Sequence, residues 1–145
     1  MASRNEEEIR KISLELRLLE QTAEALQSRL SMLNAVNQDL TYASMTLQSL
    51  DNEKENDELL VPIGGTSYIR AKLSNPDNII LGIGAGVSVE KTRQEAKDII
   101  KKRLEDLEKA RTSTQQQFVQ VAGKITQDRE RFEELAATVR GEKAP

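Results

Sequence analysis

Two stretches of the chain, Asn5 to Leu50 and Glu90 to Arg140, carry apolar residues at alternating spacings of three and four and contain no proline. In the first stretch the a and d positions of a heptad fall on Ile9, Ile12, Leu16, Leu19, Ala23, Leu26, Leu30, Leu33, Asn37, Leu40, Ser44 and Leu47, and ten of the twelve are apolar. A repeat of 3.5 residues keeps one stripe of a helix turned toward a partner, so the pattern predicts a coiled-coil helix. The second seam runs Ile100, Leu104, Leu107, Arg111, Thr114, Phe118, Val121, Ile125, Asp128, Phe132, Leu135, Val139. Arg111, Thr114 and Asp128 interrupt it. Polar residues in a seam cost stability and fix register, unless they sit at the edge of an imperfect one. Ser3 followed by Glu6 has the spacing of a capping box, and Glu6, Glu7 and Glu8 suit a helix N-terminus.

At roughly 1.5 Å per residue, stretches of about 45 and 50 residues would each run roughly 70 Å. Matched lengths predict that the chain turns back on itself as an antiparallel hairpin, with Ile9 beside Val139 and Leu50 meeting Glu90. A single domain over 1–145 follows: helix 1–50, connector 51–89, helix 90–140, and a flexible tail 141–145.

The connector holds Pro62, Pro76 and five of the seven glycines. After the charged run Asp51–Asp57, a strand is predicted over Glu58–Ile63, ended by Gly64 and Gly65. Between Ser67 and Leu73, the apolar Ile69, Ala71 and Leu73 alternate with Tyr68, Arg70 and Lys72, the period-two pattern of a half-buried strand. Ser74-Asn-Pro-Asp-Asn78 is turn chemistry. Ile79–Ile83 and Val87–Val89 complete two hairpins. An isolated hairpin is marginal in water. The apolar faces of Leu60, Val61, Ile63, Ile69, Ile79, Leu81, Ile83 and Val87 therefore call for a partner sheet, and the chain has no further strands. Other subunits would supply it, closing strands into an intermolecular barrel that hides their edges.

Composition excludes several functions. With no Cys and no His, the chain has no disulfide, no thiolate nucleophile, no Cys/His zinc site and no imidazole acid–base pair. Phe, Tyr and Trp make up 3% of it, too little aromatic volume for a thick globular core. A pI near 5.2 argues against nucleic acid. No apolar run approaches the ~20 residues of a membrane span, and the charged start lacks a secretory signal. The expectation is a cytoplasmic protein without cofactor, metal or catalytic residues.

Two long helices flanking Glu58-Leu-Leu-Val-Pro-Ile-Gly-Gly65 and Gly82-Ile-Gly-Ala-Gly-Val87, followed by Val89-Glu90-Lys91, resemble the α-type subunits of prefoldin, the archaeal kind most of all. Two hairpins rather than one point to the α type. The resemblance implies a hexamer of two α and four β subunits on a double β-barrel platform. Coiled coils would hang from the platform, grip non-native polypeptides at their distal ends and deliver them to a group II chaperonin without ATP.

Gly82-Ile-Gly-Ala-Gly86 lacks the sixth-position glycine of a dinucleotide fingerprint, and no Gly-Lys-Ser/Thr follows, so tight bends between packed strands explain it better. The acidic run Asp51–Glu58 matches no calcium loop and reads as a solvated linker. Leu14 and Leu18 stand outside the seam, at f and c positions one turn apart. With Ile9, Ile12, Phe132, Leu135 and Val139 they would form an apolar client-binding patch where the coil frays. A plainer alternative is a structural spacer or tether that binds no client, in which Leu14 and Leu18 merely widen the seam.

Overall fold

The computed structural model describes residues 3–143. Helix α1 (Arg4–Ser49) begins at the expected cap, where Ser3 Oγ accepts the Glu6 N–H at 3.2 Å. One 3-10 turn, Leu50–Asn52, closes it. Four strands follow, β1 (Glu58–Gly64), β2 (Ser67–Lys72), β3 (Asn78–Gly84) and β4 (Val87–Thr92), and then helix α2 (Arg93–Lys143).

Strand β4 runs past the predicted Val89 because Glu90 and Lys91 pair with Ile80 and Ile79. The second helix therefore starts at Arg93 rather than Glu90. Thr92 caps it, its Oγ1 accepting the Glu95 N–H at 3.1 Å. The helix then continues through Lys143, so 141–143 are helical and only the last two residues of the expected tail lie outside the described residues.

The strands form two separate antiparallel pairs, β1–β2 and β3–β4. Each hairpin turns through two residues with positive φ, Gly65 and Thr66 in one, Ala85 and Gly86 in the other. That is the backbone whose twist matches right-twisted strands. The register shifts just before each turn, where Gly64 (φ 101°) and Gly84 (φ 111°) take a conformation that L side chains rarely adopt. Between the hairpins, Asn75 Oδ1 accepts the Asp77 N–H at 2.9 Å around a buried Pro76.

The chain divides into two compact units, one built from the segment up to Ala35 and that from Lys109 onward, the other from Val36–Glu108. In the first, α1 and α2 pair antiparallel. Glu8 meets Arg131 and Glu15 meets Lys124, so seven residues forward on one helix match seven back on the other. The shielded positions of α1 here include the whole expected seam from Ile9 to Leu33, and those of α2 the seam from Arg111 to Val139. Thr114 and Asp128 are buried within it rather than at its edge. The Thr114 hydroxyl donates to the Ala110 carbonyl at 2.8 Å.

The second unit is built around Leu47, Leu81, Ala96 and Ile100, with Leu40, Ala43, Leu50, Ile79, Val89, Ile99 and Leu104 packed about them. Here the structure departs from expectation. Leu81 is buried and Ile79 half-buried against the chain's own helices, so neither waits for another subunit. The end of α1 and the start of α2 offer apolar surface to β3–β4, so helices rather than further strands cover this face.

Candidate functional site

Both units expose large apolar side chains. In the first unit, Ile12 and Leu135 are buried in the seam, and Ile9, Phe132 and Val139 are half-buried in it. Among the described residues α1 is helical from Arg4 and the seam is shielded as far as Ile9. Of the seven expected client-binding residues, only Leu14 and Leu18 face outward, 58% and 55% exposed. Four residues apart on one helix, they are neighbours on its surface. Met32 extends this face and was missed; it repeats the heptad position of Leu18 two heptads on and is also exposed. Ion pairs border the helices, Arg131 to Glu8 at 3.2 Å, Arg129 to Glu20 at 3.0 Å and Lys124 to Glu15 at 3.8 Å. These are exposed pairs, so each contributes little stability, and their spacing is consistent with the antiparallel register of the two helices.

In the second unit Val36, Tyr42 and Met45 are exposed on α1, and a larger group of apolar side chains is exposed on the hairpins. Leu60, Val61, Ile63, Ile69, Ile83 and Val87 are exposed, as are Tyr68 and Ile80. The strand register explains the two unexpected members, since alternate residues of a strand face opposite sides and both sides here carry apolar groups. Apolar residues on both faces of a two-stranded sheet mark an interaction surface rather than a solvated one. The glycine run Gly82–Gly86 spans the end of β3 and the turn into β4, and not the helix N-terminus a dinucleotide fold requires.

A polar network fastens β3–β4 to the helices. The Arg93 guanidinium donates to the Leu50 carbonyl at 2.7 Å and pairs with Asp51 at 3.3 Å and Asp77 at 3.2 Å. Lys97 Nζ reaches Asp51 at 2.6 Å. The hydrogen bond from Lys97, with the charges of Lys97 and Arg93, holds the Asp51 carboxyl below the usual range against a smaller opposing effect of desolvation. In the acidic linker Asp57 Oδ2 accepts the Lys54 N–H at 2.7 Å, so this carboxylate closes a turn.

Residues 19–138 match the family model for a prefoldin subunit. The chain belongs to the prefoldin family. It is 33% identical over 109 residues to prefoldin subunit alpha of Methanococcoides burtonii, covering 75% of this chain and 79% of that protein. Prefoldin subunit alpha of Pyrococcus horikoshii is 30% identical over 124 residues, 85% of this chain and 84% of the relative. Among solved structures, a chain of filamentous prefoldin from Methanocaldococcus jannaschii, studied by cryo-electron microscopy, matches with a TM-score of 0.67 and 25% identity over 77% of this chain and 93% of its own. Prefoldins are chaperone subunits that act in oligomeric complexes, and they are not enzymes. No helix among the described residues is long and apolar enough to cross a membrane.

Proposed function

We propose that this prefoldin subunit assembles through its hairpins and captures non-native polypeptides on the outward face of α1 around Leu14 and Leu18. The exposed pair Leu14–Leu18 is the observation that supports capture. Two large apolar side chains stand in water beside a seam that is already filled, and shallow contacts of this kind hold unfolded chains weakly and without sequence preference. Leu60, Val61, Ile63, Ile69, Ile83 and Val87 support assembly. Paired with β-type subunits, two α to four β, their strands would close into a barrel and remove the exposed edges. The complex works in the cytoplasm without ATP and passes its clients to a group II chaperonin.

The test has two arms. Mixing the chain with the β-type subunit of the same cell and measuring mass by light scattering should give a complex of two plus four, and Ile69→Asp with Ile83→Asp should prevent it. A chain that ignores the β-type subunit, or a hexamer that survives the double substitution, overturns the assembly role. In the second arm, the assembled complex should suppress aggregation of a denatured client, and Leu14→Ser/Leu18→Ser should weaken that suppression. Unchanged suppression would instead favour a spacer that only sets distance.

A further inference from the structure

The two hairpins are one structural unit used twice, twenty residues apart. Glu58↔Lys72, Val61↔Ile69 and Gly64↔Ser67 in the first recur as Asn78↔Thr92, Leu81↔Val89 and Gly84↔Val87 in the second, with the register shift at the same place. The repeat extends one pair outward. Leu73 N–H donates to the Asp57 carbonyl at 2.8 Å, and Arg93 N–H donates to the Asp77 carbonyl at 3.0 Å. Equivalent side chains nevertheless meet different surroundings. Leu81 is 7% exposed and its counterpart Val61 38%, while Val89 is half-buried and its counterpart Ile69 exposed. The core around Leu81 includes no residue of β1 or β2.

The residue closing each copy differs in kind. Copy one ends on Leu73, copy two on Arg93, whose guanidinium ties the end of α1, through Leu50 and Asp51, to Asp77 before β3. A second arginine holds the other end of β3, with Arg103 donating to the Gly82 carbonyl at 2.8 Å. Copy one has Pro62 at the position of Gly82. Resting on the assembly role proposed above, we infer that Arg93 is the positioning residue that makes β3–β4 a fixed extension of the helices, leaving β1–β2 as the adjustable hairpin that orders against a partner subunit. Segments with few buried apolar contacts open locally at low cost, whereas β3–β4 can open only by breaking its arginine contacts and uncovering Leu81. One hairpin therefore sets the direction of the helices at the junction while its copy adapts to the neighbour.

Amide hydrogen exchange on the full chain, at a concentration where light scattering gives a single-chain mass, tests this without any partner. Amides of β3–β4 should exchange at least roughly tenfold more slowly than those twenty residues earlier in β1–β2, after correction for intrinsic rates. Arg93→Leu, which installs the residue of the first copy, should collapse that ratio while leaving β1–β2 rates and helical circular dichroism unchanged. If Arg93→Leu fails to fold, Asp77→Ala, which removes one exposed contact, should shift the ratio in the same direction. Equal protection of the two hairpins in the native chain, or a ratio indifferent to the folded variant, overturns the inference. Adding the β-type subunit should then slow β1–β2 more than β3–β4, and the reverse order would likewise overturn it. Failure to bind that subunit at all would sink the assembly reading alone, since the exchange ratio and its response to Arg93 are measured before mixing.

Discussion

Asp128 lies 5% exposed in the seam of the first unit with Lys124 Nζ 3.2 Å from one carboxylate oxygen, while its other oxygen is buried without a hydrogen-bond partner. A desolvated, half-satisfied carboxylate is a local weakness, because one surface lysine does not replace the water it has lost. Asp128→Leu should therefore stabilise the chain by about 1–2 kcal/mol, read as a higher urea midpoint by circular dichroism. Thr114→Val should gain less, since that hydroxyl already donates to Ala110. A lower midpoint for Asp128→Leu would show that the carboxylate is needed to hold the register.

Leu81→Ala should cost about 2–5 kcal/mol, the usual range for emptying a core leucine site. Val61→Ala, at the equivalent place in the other hairpin, should cost under about 1 kcal/mol in the isolated chain. Thermal denaturation of both variants decides it, and comparable losses would mean that Val61 is buried in solution.

Leu14→Ser/Leu18→Ser should leave stability within about 1 kcal/mol of the parent. Their exposure means that neither substitution opens a cavity. Reduced suppression of client aggregation at unchanged melting temperature would separate a binding role from a structural one.

Acid should loosen the junction of β3–β4 with the helices. The Asp51 carboxyl is held below its ordinary value by Lys97 and Arg93, so its stabilising contribution is complete above the unfolded-state value and disappears as pH falls through the folded one. Exchange of β3–β4 amides, corrected for intrinsic pH dependence, should thus accelerate below pH about 4. Lys97→Met should blunt that acceleration. A junction equally sensitive in the variant would assign the effect to other carboxylates.

Thr66→Gly should stabilise the first hairpin by about 1 kcal/mol. Thr66 holds φ 59°, a left-handed conformation that a β-branched residue adopts at a cost. Cross-strand nuclear Overhauser contacts between Val61 and Ile69 should strengthen in the variant.

The helices were legible because a heptad repeat is a local signal written many times over; every expected seam position from Ile9 to Leu47 is shielded. The strands were legible from alternation and glycine turns. What escaped depended on tertiary position. Leu81 and Ile83 look alike in sequence, and only the placement of β3 against Ala96 and Ile100 buries one and exposes the other. The expected patch also grouped Ile12 and Leu135, which are buried in the seam, with Leu14 and Leu18, which stand outside it. The start of α2 could have been found: Thr92 and Glu95 have the same cap spacing as Ser3 and Glu6. The twenty-residue repeat was hidden because its copies share backbone register more than side chains.

Among the described residues no large side chain is completely withdrawn from solvent. Where two helices meet along a single seam, every buried group is one side chain away from water, and no deep interior must be broken all at once. Such a structure behaves as a zipper. Force or a competing apolar chain can part it locally, at a cost proportional to the length parted, and it closes again from whatever stretch stays joined.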